Sequence, residues 1–399
     1  MTALTVVLLI SALLGIQPVT TDLYLPALPA LQSQLGASMT QVQMTFAGMV
    51  LAFGGSQLVW GPLSDRHGRR PILLWGLALY TLAALACAVA PSMDLLVAAR
   101  VAQGAALGAP VMSARALLRD LYTPLESARM MARGLTGLGF IAIVCVPVGS
   151  LLVEWLHWRA ALAALAVCGA GTLVLVALRF RETAPQRNPR ALAPRVLWQS
   201  WAGIARNPTF LAYSLLSTGS YASFIVFLTS SPFVFMQQLG ISPAGYGVIM
   251  ALQAVVYITG TIVCRRLLPR LGARRTVAAA GCGTLAAGVC MAAVTWLGPG
   301  RAWYGAVAVF LPQVLFMFAH AVHQAVGQSG AVSPFPQMAG AASALNGFMM
   351  MSISFLVGWW LGTALDDTPH ALGLGYLIGC SAAAAIAWTL VQKHGELAH

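Results

Sequence analysis

Of the ten acidic residues in 399 positions, Asp22 is the one set well inside an apolar run, in Thr21-Asp22-Leu23-Tyr24-Leu25-Pro26. A carboxylate in hydrocarbon is costly unless it faces a cavity, a partner or a proton. Asp22 is therefore expected to bind and release a proton. The competing reading places it near a membrane surface, because Pro26 and Pro29 soon end the run. Arg100 is the matching embedded cation, in Ala98-Ala99-Arg100-Val101-Ala102-Gln103-Gly104. At that depth it is expected to face the interior and find acids, water or carbonyls. A purely structural arginine is the alternative.

The segment Gly61-Pro62-Leu63-Ser64-Asp65-Arg66-His67-Gly68-Arg69-Arg70-Pro71 has the spacing of a tight reversal between two helices. Glycine permits the turn and Pro71 suits the first turn of the next helix. Asp65 is placed to pair with nearby arginines or to face a helix N-terminus, making a latch that could break and reform. Farther on, Gly137, Gly139, Pro147 and Gly149 predict a kinked small-residue face. His320 and His323 are one turn apart and could share a face, as a proton relay or even a metal pair. With Gln324 and Gln328 following, they are expected to approach the cytoplasmic interface instead. Tyr24, Gln57, Tyr221, Phe224, Tyr257, Gln313, Phe316 and Asn346 are polar or aromatic residues within apolar spans. They are candidate contacts for a small molecule in an apolar pocket, each weighed against ordinary helix packing.

The elements that position these groups follow from composition. Hydrophobic residues make up 59% of the chain and charged ones 8%, too few to dress a water-exposed surface. Crossing a bilayer takes about twenty apolar residues. Twelve runs qualify, near 4–25, 40–60, 71–90, 94–115, 130–153, 159–180, 209–236, 245–266, 275–297, 303–326, 338–362 and 372–392. The first lacks a basic leader region and is read as a helix, not a signal peptide. The fold expected is all-α and integral to the membrane, with two pseudo-symmetric halves of six helices. The halves are residues 1–180 and 209–399, joined by a Pro- and Arg-rich cytoplasmic linker at 181–208.

The net charge of +12 resides mainly in loops. Arg66, Arg69, Arg70, Arg115, Arg119, Arg129, Arg133, Arg265, Arg266, Arg270, Arg274 and Arg275 fall on one side with the linker arginines. Arg159 and Arg301 fall on the other, with Asp94, Glu154, Asp366 and Asp367. Under the positive-inside rule both termini are cytoplasmic, and nucleic-acid binding is not expected. The seven cysteines form no CxxC pair and read as small buried hydrophobes. No nucleophile–base pair or metal cluster occurs at helical spacing, so an enzyme is not expected. The halves also repeat: Arg66, Gly68 and Arg70 recur as Arg270, Gly272 and Arg274, with Pro269 in place of the acid. At the same offset Asp22 and Arg100 become Val226 and Tyr304. Coupling groups are thus expected in the first half, and pocket-shaping groups in the second.

The Gly61–Pro71 segment resembles the signature loop of the major facilitator superfamily, where it acts as a cytoplasmic gate. Arg100, Gln103 and Gly104 resemble that superfamily's fourth-helix motif, linked to proton coupling. Pro147 and Gly149 resemble the hinge typical of its exporters, with departures at Val146 and Ser150. Thr21-Asp22-Leu23-Tyr24-Leu25-Pro26-Ala27-Leu28-Pro29 is similar to the first-helix signature of the bicyclomycin/chloramphenicol resistance (Bcr/CflA) drug:proton antiporters. Arg119-Asp120-Leu121-Tyr122, Ser127-Ala128-Arg129-Met130-Met131, Ser231-Pro232-Phe233-Val234 and Ala339-Gly340-Ala341-Ala342-Ser343-Ala344-Leu345 are similar to further signatures. The resemblance implies a monomeric bacterial inner-membrane antiporter. It would export small amphipathic antimicrobial compounds, with protons as coupling ion and no cofactor. Some related antiporters carry a second acid two turns before the first; here that position is Leu14, which removes one basis for preferring strongly cationic drugs. A metabolite exporter or symporter, or a non-transporting membrane sensor, is the alternative.

Overall fold

A computed structural model describes residues 2–183, 192–365 and 368–395, and among them there are helices and turns but no strand. In hydrocarbon every backbone N–H and C=O has to be bonded within its own segment, and a helix does so. The chain divides into two compact units, Met1–Gln199 and Ser200–His399. In chain order the helices begin with α1 (Ala3–Asp22), α2 (Leu28–Gln34), α3 (Met39–His67), α4 (Arg69–Val89) and α5 (Met93–Leu121). Next come α6 (Pro124–Trp155), α7 (Trp158–Arg179), α8 (Pro194–Ala205), α9 (Pro208–Pro232) and α10 (Pro243–Leu297). The last four are α11 (Ala306–Val332), α12 (Ala339–Ala364), α13 (His370–Trp388) and α14 (Leu390–His394).

Eleven continuous helical stretches among the described residues are long and apolar enough to cross a bilayer. One of them, α10, has 55 residues. At about 1.5 Å per residue a helix of that length would reach ~82 Å, far beyond a hydrocarbon core of about 30 Å. Its Gly272 adopts φ 74° and ψ 167°, outside helical space. Residues 243–271 and 273–297 are therefore separate crossings, and the spans among the described residues number twelve. Gly68, the repeat partner of Gly272, ends α3 and starts α4 at φ 100° and ψ 159°. This region of backbone space is essentially open to glycine alone, so the sequence repeat is also a repeat of backbone corner.

Three details depart from expectation. The first span does not end at Pro26 and Pro29: α1 passes through a 3-10 turn at Leu25–Ala27 into α2. Both prolines fall in first turns, where their missing N–H is no loss. In the expected linker, residues 184–191, which include Pro185, Arg187, Pro189 and Arg190, lie outside the described residues, as do Asp366 and Asp367. Within the described part of that linker Pro194–Ala205 is helical as α8, because Leu197, Trp201 and Ile204 repeat at helical spacing and Ile204 is buried. Finally, Cys168, Cys282 and Cys290 are exposed rather than buried. A small apolar side chain is at no disadvantage on a surface that also displays Leu178, Val307 and Val89, each more than 70% exposed.

Glycines set how closely the helices of the first unit approach. A Cβ on Gly104 would overlap the Met49 carbonyl, bringing α5 against α3. A Cβ on Gly149 would overlap the Leu23 carbonyl, bringing α6 against the end of α1.

Candidate functional site

Asp22 is the last residue of α1, half-buried at the break before the 3-10 turn. The neighbouring Leu23 carbonyl is the atom against which Gly149 rides, and Cys145 on the same helix lies within electrostatic reach of the carboxyl. The expected hinge Pro147–Gly149 thus crosses α1 beside the expected proton site. Gly137 packs against Ser11 about three turns away on the same pair of helices.

Arg100 is completely buried. Its Nη1 donates to Gln103 Oε1 at 2.7 Å, Nη2 to the Thr20 carbonyl at 3.1 Å and Nε to the Thr45 carbonyl at 3.4 Å. The guanidinium stands 3.9 Å from the Tyr24 ring centroid. Among the described residues no carboxylate pairs with it; carbonyl dipoles and a π face meet its charge instead. The hydroxyls of Thr20 and Tyr80 lie 2.7 Å apart, and those of Tyr24 and Thr45 lie 3.3 Å apart, extending the cradle. Tyr24, expected as a small-molecule contact, is a buried part of this cradle. Gln57 is also buried.

At the Gly68 corner Asp65 pairs with a nearby arginine, and that arginine is Arg69. Its Nη1 donates to Asp65 at 2.5 Å and to Ser64 Oγ at 3.1 Å, and its Nε donates to Asp120 at 3.0 Å. The start of α4 is faced not by Asp65 but by Glu182, which accepts from the backbone N–H of Arg69 at 2.9 Å and of Arg70 at 3.2 Å. Arg70 reaches the carbonyls of Phe180 and Ala177, tying the same corner to the end of α7. Gly61 is half-buried on α3, and Arg66 is exposed. A hollow of about 610 Å³ lies beside the corner, lined by Arg70, Pro71, Trp75, Leu173 and Glu182 among others; none of the expected small-molecule contacts lines it.

In the second unit four of those residues, Tyr221, Phe224, Tyr257 and Phe316, surround one histidine. His320 and His323 lie near the middle of α11 and are buried, rather than approaching an interface. The polar residues around them belong to the helix interior: Gln324 donates to the Ser217 carbonyl at 2.9 Å and accepts from Gln328 at 2.9 Å. The His320 ring is surrounded by Phe224 and Phe316 at 5.2 Å, Tyr257 at 5.8 Å and Tyr221 at 6.5 Å, centroid to centroid. Gln313 accepts from the Tyr376 hydroxyl and donates to Gln253 at 2.9 Å. Asn346 accepts from Ser217 at 3.2 Å. Tyr221, Phe224 and Tyr257 are partly exposed, whereas Gln313, Phe316 and Asn346 are buried. Among the described residues no group of three or more metal-ligating side chains occurs.

The model of the Major Facilitator Superfamily matches residues 10–359. The chain belongs to that superfamily. It is 30% identical over 345 residues to "Chloramphenicol resistance protein" of Pseudomonas aeruginosa, covering 84% of this chain and 79% of the relative. It is also 30% identical over 342 residues to "Multidrug resistance protein D" of Escherichia coli strain K12, covering 85% and 84%. A solved structure of the xylose transporter XylE from E. coli, in a partially occluded inward open conformation, superposes with a TM-score of 0.73. It covers 98% of this chain and 97% of that one, at 14% identity. That likeness establishes the fold, and the relatives agree with the drug-antiporter resemblance carried by the first-helix motif. The chain is thus a multi-pass membrane protein of the superfamily fold.

Sequence reasoning missed the partners of the named residues. Glu182 was one acid within a linker, with no spacing to announce that it caps α4. Asp120 stood in a recognised motif, but nothing local paired it with Arg69, which is 51 positions away. The aromatic residues around His320 were named singly; only their placement on α9, α10 and α11 makes them one cluster.

Proposed function

We propose that the protein is a drug:proton antiporter, a secondary transporter rather than an enzyme. It exports small amphipathic antimicrobial compounds across a bacterial inner membrane, working as a monomer with both termini cytoplasmic. The observation that carries this reading is the kinship, along most of the chain, with a chloramphenicol resistance and a multidrug resistance protein. The position of Asp22 gives the kinship a mechanism.

A drug binds from the cytoplasmic side with Asp22 deprotonated, is released outside, and is exchanged there for a proton that the return step delivers inward. Such a cycle runs on the different affinities of two states for proton and drug. Asp22 lies at a break in its helix, one residue from the carbonyl on which Gly149 rides. Movement of α6 over α1 therefore changes the surroundings of the carboxyl. The Thr20 carbonyl, two residues before Asp22, is a direct acceptor for Arg100. Protonation at Asp22 and the fixed charge of Arg100 are thereby linked through one turn of helix. The Arg69 corner supplies the latch, since its two carboxylates come from α3 and α5 while its backbone opens α4.

The test is transport by purified protein in liposomes carrying an imposed proton gradient. With the protein oriented so that its cytoplasmic face is outside and the lumen is acidic, chloramphenicol should accumulate inside above its equilibrium level. Accumulation only when the gradient is reversed would identify a symporter and overturn the reading.

A further inference from the structure

Resting on the transport reading above, we infer that Tyr80 is a positioning residue for proton coupling: its hydroxyl holds the end of α1, and with it Asp22, against the fixed charge of Arg100. Tyr80 lies on α4, and Thr20 lies two residues before Asp22 on α1; both are fully buried. Their hydroxyl oxygens are 2.7 Å apart.

The direction of that bond follows from its neighbour. Thr20 Oγ1 donates to the Ile16 carbonyl at 2.6 Å. A carbonyl offers no hydrogen, so the single hydroxyl hydrogen of Thr20 is committed there. The hydrogen between Thr20 and Tyr80 is therefore the phenol's, and Tyr80 is the donor. Its ring is gripped from behind. A Cβ on Gly169 of α7 would come within 2.8 Å of the ring carbons Cδ1 and Cε1, so glycine there lets α7 close over the ring.

Thr20 is thus held twice. Its hydroxyl accepts from Tyr80 of α4, and its carbonyl accepts from Arg100 Nη2 of α5 at 3.1 Å. The last backbone bond closing α1 runs from the Leu23 N–H to the Val19 carbonyl at 3.4 Å, so the Thr20 carbonyl lies beyond it. A carbonyl left over at a helix end takes a donor from outside the helix, and here that donor is the buried cation. Asp22 follows at the same break. Where the end of α1 stands therefore determines how the carboxyl meets Arg100, and the Tyr80 hydroxyl sets that position from α4. Hydrogen bonds between membrane helices are individually weak, so this one does more for geometry than for stability.

The experiment is chloramphenicol transport by the full-length protein in liposomes, with gradient-driven accumulation and downhill counterflow read in the same vesicles. Tyr80→Phe keeps the ring and removes the donor. Thr20→Val keeps the shape and removes the acceptor, and Thr20→Ser keeps the hydroxyl. Accumulation should fall about fivefold in Tyr80→Phe, as for loss of one net hydrogen bond, while counterflow stays within about twofold of wild type. Thr20→Val should match it, and Thr20→Ser should accumulate as wild type does. The double variant Thr20→Val/Tyr80→Phe should be no worse than either single one, since all three lack the same bond. Equal loss of accumulation and counterflow would mark a merely structural role and overturn the inference. Full accumulation in Tyr80→Phe and Thr20→Val, or additive losses in the double variant, would overturn it too. If Tyr80→Phe does not insert, the two Thr20 variants decide by the same criteria. A wild type that shows no gradient-driven accumulation defeats the transport reading and this inference with it; an accumulating wild type beside an unaffected Tyr80→Phe defeats this inference alone.

Discussion

The Arg69 corner makes a quantitative distinction between two acids that sequence treats alike. Arg69 bonds to both Asp65 and Asp120, but the Asp65 side chain is 43% exposed and the Asp120 side chain 6%. An exposed ion pair contributes about 0–1 kcal/mol, whereas removing one partner of a buried pair costs about 3–5 kcal/mol. Asp65→Asn should therefore cost at most ~1 kcal/mol in corner stability, and Asp120→Asn about 3 kcal/mol or more. At 1.4 kcal/mol per factor of ten, this corresponds to about thirtyfold or more greater opening for the second variant. Arg69→Gln should resemble Asp120→Asn, since it strands the buried carboxylate. The double variant Arg69→Gln/Asp120→Asn should be more stable than Arg69→Gln alone. The assay is the labelling rate of a cysteine placed at Ser64, buried beside Arg69, together with thermal unfolding of the same variants. Equal effects of Asp65→Asn and Asp120→Asn, or no recovery in the double variant, would refute the reasoning.

Other consequences follow from the same geometry. Gly149→Leu places a side chain where the Leu23 carbonyl sits, so drug export should be lost while the protein still inserts and purifies, which expression and liposome flux would show. Arg100→Lys should not substitute for arginine. One ammonium cannot reach the Gln103, Thr20 and Thr45 acceptors while covering Tyr24, and a destabilisation of about 2–4 kcal/mol should appear as a lower unfolding temperature. At the start of α6, the Thr123 hydroxyl and then its backbone N–H hold the Glu126 carboxyl below its ordinary value. Because the folded pKa is the lower one, that capping contribution is complete above the unfolded value and is lost as pH falls through the folded value. Protection factors for hydrogen exchange at the first turn of α6, corrected for the intrinsic pH dependence of exchange, should fall at acid pH, and Thr123→Ala should remove most of that dependence.

The fold was legible because its signals are long-range in sequence but simple in kind: apolar runs of crossing length and a repeated glycine corner. Gly68 and Gly272 could be matched by spacing alone, and their shared backbone conformation makes the repeat physical. The break inside the first span was less legible, since Pro26 and Pro29 punctuate a helix equally well by ending it or by opening its next turn. In the site, Asp22 and Arg100 were visible because burying such residues is costly, and Asp65 because of the glycine spacing of its segment. Their partners were not visible, because those are ordinary groups: the carbonyls of Thr20 and Thr45, the Tyr24 ring, and Glu182 arriving from beyond α7. His320 shows the same limit from the other side. A histidine followed by glutamines looks like a helix end, and only tertiary packing reveals that those glutamines satisfy α9 and their own helix.

The central claim is that Asp22 exchanges drug for proton. It is tested most directly by gradient-driven chloramphenicol transport in liposomes containing wild type or Asp22→Asn, with downhill counterflow of the drug measured in the same vesicles. The account predicts that Asp22→Asn loses accumulation against a drug gradient yet retains counterflow, because an uncharged side chain no longer couples but still permits exchange. Full pH-gradient-driven accumulation by Asp22→Asn would contradict it.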